Sequence, residues 1–384
     1  MAEDNETNQG PHVAEQMPRV VITRRRIIAS VVFVIAVVAF LYFGLPRLVR
    51  GGNHESLGDS ISHLRKGNGW WLGGAAVLEI LSFCGYIALF RAVFVHRTSR
   101  IGWRVSYQIT MAGLAATRLF AAAGAGGIAL TAWALRRSGM ERRLVASRMI
   151  AFNVLLYVVY MGVLLIDGVG LYGGAWPGKA PFAITIVPAI FGLSVIIIFM
   201  CVSLLPRDVD RLVASRSEGK GISGGVARRL ATVPSAAATG IRTAIALVRS
   251  GDPGLLGAIA WWGFDIATLW ACFHAFGYSP PEGVIVMAYF VGWIANTLPL
   301  PGGIGGVEGG LIGAFSAFGV NIQVAVVAVL AYRVFSFWLP TIPGAIAYFQ
   351  LRRTVHRWGE ADAADNPGGH APGGPAVSES RTYT

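Results

Sequence analysis

Leu298-Pro299-Leu300-Pro301-Gly302-Gly303-Ile304-Gly305-Gly306 breaks an apolar stretch that runs from Val284 to Phe318. A helix needs about 20 apolar residues to cross a bilayer, and this stretch is long enough. Two prolines and four glycines in nine positions nevertheless stop any regular helix. A second stretch, Tyr107 to Leu135, is broken in the same way at Ala123-Gly124-Ala125-Gly126-Gly127. Each either crosses once or dips into the membrane and returns as a re-entrant hairpin. Backbone without internal hydrogen bonds cannot face lipid, so the tip of such a hairpin must be buried in protein or line a wet cavity.

The composition around these stretches has one reading. Of 384 residues, 54% are hydrophobic and only 14% charged, against about a quarter charged in a soluble domain. A cytosolic enzyme, a disordered regulator and a disulfide-knit secreted domain are excluded. Apolar runs at Ile27–Leu45, Trp70–Phe90, Val145–Leu165, Phe182–Leu205, Leu255–Phe276 and Ile322–Phe349 read as six full spans, the last kinked at Pro340 and Pro343. The fold class is therefore an all-α polytopic membrane protein, with about six transmembrane helices plus two re-entrant helical hairpins. Residues 1–22 and 359–384 read as disordered cytoplasmic tails, and 23–358 as the transmembrane domain. Within it, 206–252 reads as a cytoplasmic loop with an amphipathic helix that Pro234 kinks or splits.

Loop charge separates the two readings of the broken stretches. With both as hairpins, the cytoplasmic side carries 24 Lys and Arg and the outer side five. With both crossing, 13 lie inside and 16 outside, against the positive-inside rule. Hairpins fit, and both termini are then cytoplasmic. Three full crossings separate the hairpins, so they open from opposite faces. They also match in sequence: at an offset of 178, Gly124 falls on Gly302 and Gly127 on Gly305, and at 180, Gly139 falls on Gly319 and Ala151 on Ala331. Inverted repeats with interrupted helices are the architecture of alternating-access transporters, with the site where the repeats meet.

The net charge of +12 belongs to this loop bias rather than to nucleic acid binding. Cys84, Cys201 and Cys272 form no C-x-x-C, and the histidines form no H-E-x-x-H, so no disulfide frame or metal site is expected. No phosphate-binding G-x-x-x-x-G-K occurs, and no cofactor is expected.

Five ionisable residues fall inside apolar segments: Glu79, Arg118, Asp265, Glu308 and Arg333. An Arg or Asp at a helix centre costs roughly 2.5–3.5 kcal/mol on insertion scales, so each should face a partner or a watery path. In one reading Arg118 and Arg333 attract a lipid phosphate while Glu79, Asp265 and Glu308 accept a cationic or hydroxylated headgroup. In the other they pair internally, Glu308 with Arg333 for instance. The carboxyls are also candidate proton carriers. The half-helix starting near Gly305 offers unpaired N–H groups to an anion, unless Gly305-x-x-x-Gly309 and Gly306-x-x-x-Gly310 serve close packing instead. Arg148 and Asp167, near span ends, are expected to snorkel.

Pro301-Gly302-Gly303-Ile304-Gly305-Gly306-Val307-Glu308 resembles the flippase domain of the lysylphosphatidylglycerol synthase/flippase family, and the resemblance extends over about 27–355. It implies paired re-entrant segments and movement of phospholipids, notably aminoacylated phosphatidylglycerol, between the leaflets of a bacterial-type cell membrane. The residues expected to meet the lipid are Arg118, Gly124, Gly126, Gly127, Pro301, Gly302, Gly303, Gly305, Glu308, Arg333, Asp265 and Glu79. The first loop lacks a proline, and only 26 residues follow Trp358. The soluble aminoacyl-transferase domain of fused members is therefore not expected here. Alternatives are a membrane-embedded transferase, for which Asp208-Val209-Asp210 is a thin hint, and an accessory subunit of a separate lipid-modifying synthase. Homo-oligomerisation is left open.

Overall fold

The fold is taken from a computed structural model that describes residues 67–95, 100–119, 125–204, 224–297 and 305–365. The span read at Ile27–Leu45, the N-terminal tail and Asp208-Val209-Asp210 lie outside the described residues. So do Gly124, Pro301, Gly302 and Gly303.

The described residues form helices joined by turns and short loops, with no strand among them: α1 (Gly69–Phe94), α2 (Trp103–Leu119), α3 (Ala125–Arg137), α4 (Arg142–Tyr172), α5 (Phe182–Ser203), α6 (Gly224–Ser250), α7 (Gly257–Ala275), α8 (Glu282–Trp293), α9 (Gly306–Ala317), α10 (Ile322–Arg333) and α11 (Leu339–Asp365). Five helical segments are long and apolar enough to cross a bilayer: α1, α4, α5, Pro253–Ala275 and Ile322–Asp362. They coincide with five of the six runs read from sequence. Their outward faces carry large apolar side chains such as Phe182, Val187, Ile190, Ile198 and Met200 of α5. Lipid tails can cover such a surface, and water cannot do so without cost.

Each broken stretch forms two short helices packed side by side, α2 on α3 and α8 on α9. In the first pair Gly113 lies by Thr131 and Thr117 by Gly127; in the second Gly292 lies by Leu311 and Ala295 by Gly310. Both partner sets run in opposite directions, so the chain turns back on itself. The approach is too close for side chains: a Cβ on Gly292 would lie 2.7 Å from Cα of Leu311. Small residues at such contacts are how apolar helices associate where lipid removes the hydrophobic drive. The same device joins α1 to α7, where Gly85 meets Ala260 and Gly257 meets Gly85 and Leu89.

The turn after each pair repeats 180 positions on. Gly139 N–H donates to Arg136 O and Met140 N–H to Leu135 O; Gly319 N–H donates to Ser316 O and Val320 N–H to Phe315 O. Both glycines have positive φ, +93° and +82°, as a left-handed helix cap requires. The next helix starts in the same way in both copies, with Val145 N–H on Glu141 O and Ala325 N–H on Asn321 O.

The last span is irregular where proline demands it. A π turn, Val334–Trp338, separates α10 from α11 just ahead of Pro340. In the 206–252 loop, α6 continues across Pro234, so that proline does not split it. Its nitrogen gives no helical hydrogen bond. Ala238, Ile241 and Ala244 bury α6 against the bundle, and Arg242 Nε donates to Ser203 O (3.1 Å).

Candidate functional site: a charged cavity between the helix pairs

Of the five intramembrane charges read from sequence, four line one cavity of about 590 Å³: Glu79 of α1, Arg118 of α2, Asp265 of α7 and Arg333 of α10. Its size lies within the ~300–1,000 Å³ usual for small-ligand sites. Aromatic rings wall it, among them Tyr86, Phe152, Tyr157, Trp261, Trp262 and Trp293, and Gly127 of the first pair contributes backbone. One side is thus cationic and another acidic, within an apolar lining.

The acidic side lies where α1 and α7 pack. Glu79 and Asp265 are only 2% and 4% exposed. Asp265 Oδ2 accepts from the Tyr289 and Tyr332 hydroxyls, the latter at 2.9 Å. Glu79 lies beside Asp265 and Thr268. Glu79 Oε2 and Asp265 Oδ1 have no hydrogen-bond donor among the described residues.

The basic side is tied to irregular backbone. Arg118 Nη2 donates to Ser336 O (2.7 Å) and Nη1 to Phe337 O (3.1 Å). Pro340 has no N–H, so the Ser336 carbonyl lacks its usual helical partner, and Arg118 supplies one. Arg333 Nε bonds Glu308 Oε1 at 2.7 Å, and Glu308 Oε2 accepts the Gly305 N–H at 2.7 Å. Glu308 therefore holds the start of α9 against α10 from just behind the cavity wall. The anion at that helix N-terminus is the chain's own carboxylate. Arg333 is 5% exposed, and its Nη2 has no partner among the described residues.

The internal pairing read for Glu308 and Arg333 is present, and close packing by Gly310 on Gly292 accompanies it. Gly309 meets no neighbour, and Gly305 is exposed. Gly126 is half-buried beside the cavity residue Gly127. Asp167 does not snorkel, and Arg148 is half-buried at a span end. Arg148 donates to Val93 O at the end of α1, and Asp167 is buried near Gly283 of α8. No group of three or more His, Cys, Asp or Glu among the described residues is placed to hold a metal.

The pattern described as lysylphosphatidylglycerol synthase TM region matches residues 27–344, most of the chain. The chain belongs to that family. It is an integral, multi-pass membrane protein. A UPF0104 membrane protein of Methanothermobacter thermautotrophicus is 36% identical over 109 residues, 28% of this chain and 31% of that protein. Another, of Methanocaldococcus jannaschii, is 32% identical over 95 residues, 24% of this chain and 28% of its own length. The matched segments thus span under a third of these relatives.

Sequence reasoning missed Tyr289, Tyr332 and Ser336. A tyrosine inside an apolar helix should have been a signal, because a buried hydroxyl needs an acceptor. Pro340 was read as a kink, but the donor that its freed carbonyl requires was not sought.

Proposed function

We propose that this member of the lysylphosphatidylglycerol synthase transmembrane-region family is a lipid translocase. It moves a phospholipid or lipid-linked headgroup between the leaflets of a bacterial-type plasma membrane, with both termini cytoplasmic. The two helix pairs act as re-entrant hairpins of opposite orientation, related as inverted repeats. The headgroup enters the cavity between them while the acyl tails stay in the bilayer. Rocking of one hairpin against the other then alternates access.

One observation carries this reading: four ionisable side chains from both halves of the chain face a single cavity inside an apolar bundle. Charge so placed is expensive in a membrane protein and marks a substrate or ion path. The Lys and Arg distribution and the caps repeated at 138–145 and 318–325 support the opposed hairpins. Arg333 Nη2 is the group best placed for a lipid phosphate, since Arg118 is engaged with carbonyls.

The test is a leaflet-resolved lipid assay on the purified chain in vesicles. Transfer of a labelled phospholipid between leaflets without covalent change supports the translocase. Formation of a modified lipid points instead to a transferase, and inactivity until a second protein is added points to an accessory subunit. Either result would overturn the proposal.

A further inference from the structure

Glu79 and Asp265 present a problem that the cavity's other charges do not solve. They lie beside one another on the closely packed pair α1 and α7, both buried and both lining the cavity. The groups facing them are accounted for element by element. From α7, Thr268 donates to Phe264 O, and Cys272 is fully buried. Tyr289 of α8 and Tyr332 of α10 both donate to the same oxygen, Asp265 Oδ2. Arg118 of α2 is engaged with the Ser336 and Phe337 carbonyls. Arg333 of α10 is engaged with Glu308 of α9. Neither arginine bonds the carboxyl pair, and Glu79 Oε2 and Asp265 Oδ1 are left without donors among the described residues.

Two neighbouring carboxylates, both out of water, cannot both stay ionised. Such pairs hold one proton between them. We propose that Glu79 and Asp265 form a proton-binding site, and that the loading and release of its one proton is linked to movement of cargo through the cavity. On loading, a carboxylate oxygen takes a proton from water on one face, and the new O–H donates to the neighbouring carboxylate. On release, that O–H bond breaks and the proton returns to water on the other face. No electrons are transferred. The arginines supply the link: a helix-pair movement that frees Arg118 from Ser336 and Phe337 would bring a cation to the carboxylates and expel the proton. Only this linkage to cargo rests on the translocase reading.

Dicyclohexylcarbodiimide tests the site on the full chain in vesicles of phosphatidylethanolamine and phosphatidylglycerol. It reacts with protonated carboxyls in apolar surroundings, adding across the acid to leave a stable N-acylurea that peptide mass mapping locates. The expected result is one adduct per chain, on Glu79 or Asp265, that falls as pH rises and is indifferent to sodium at constant pH. Adducts on neither residue, a pH-independent yield, or suppression by sodium would each overturn the proposal. In Glu79→Gln and Asp265→Asn the surviving carboxyl, still buried but no longer sharing a proton with a neighbour, should label with a pH dependence different from that of the native pair. A survivor that labels with the native pH dependence counts against a shared proton. These readouts need no lipid transport: labelling without translocation sinks the translocase and leaves the proton site, and translocation without labelling does the reverse. The linkage itself predicts that an imposed pH gradient changes the translocation rate of the native chain several-fold and leaves that of Glu79→Gln unchanged. Equal response of both would remove it.

Discussion

Arg118 Nη2 lies 2.7 Å from the carbonyl oxygen of Ser336, a residue 218 positions later in the chain. Pro340 withholds the N–H that Ser336 would otherwise receive, and the guanidinium takes its place while also reaching Phe337. The first helix pair is thereby tied to the irregular part of the last span. Arg118 also lies against the rings of Phe83 and Phe337, so it is positioned by packing as well as by charge.

Replacing Arg118 by Gln should therefore loosen the bundle. A hydrogen bond to a charged group contributes about 1.5–3 kcal/mol, and the loss should fall in that range. Arg118→Lys should recover only part of it, because an ammonium cannot span two carbonyls as a planar fork can. Thermal unfolding of the purified chain in detergent measures both. Equal stability of Arg118→Lys and the native chain would show that the fork geometry is irrelevant.

Glu308 and Arg333 should behave as a unit. Their side chains are 15% and 6% exposed, and breaking such a pair costs on the order of 3 kcal/mol because the survivor is left buried and unpaired. Glu308→Gln and Arg333→Ala should each abolish translocation while membrane insertion persists. In unfolding, the double variant should lose clearly less than the two single losses added together. Strict additivity would mean that the observed bond carries no coupling.

Glycine substitutions should sort by what a methyl group would meet. Gly127→Ala and Gly310→Ala place carbon on the facing backbone at Gly113 and Gly292, and should force each helix pair apart. Gly309→Ala, one position away and facing no neighbour, should be neutral or stabilising by up to about 1 kcal/mol. Comparison of folded yield and unfolding temperature checks the order. A Gly309→Ala defect as large as that of Gly310→Ala would contradict the assigned packing faces.

The helices were legible because their signals are local. Hydropathy marked α1, α4, α5, α7 and the last span, and Gly and Pro marked both interruptions. The cost of intramembrane charge singled out Glu79, Arg118, Asp265, Glu308 and Arg333, and four of these share the cavity. What stayed hidden depends on contacts distant in sequence. Tyr289 and Tyr332 look like ordinary apolar-span residues until folding brings both hydroxyls to Asp265, 24 and 67 positions away. Asp167 is buried instead of snorkelling, because sequence gives depth along a helix and says nothing about which face a neighbour covers.

The central claim is that the two helix pairs enter the membrane from opposite faces. Arg137 ends α3 and Ala317 ends α9, and both are exposed. With Cys84, Cys201 and Cys272 replaced, Arg137→Cys and Ala317→Cys can each be tested in intact cells with a membrane-impermeant thiol reagent. Opposed hairpins predict that Ala317→Cys reacts from outside and Arg137→Cys only after the membrane is opened. If both react from the same face, the broken stretches cross the bilayer and the account fails.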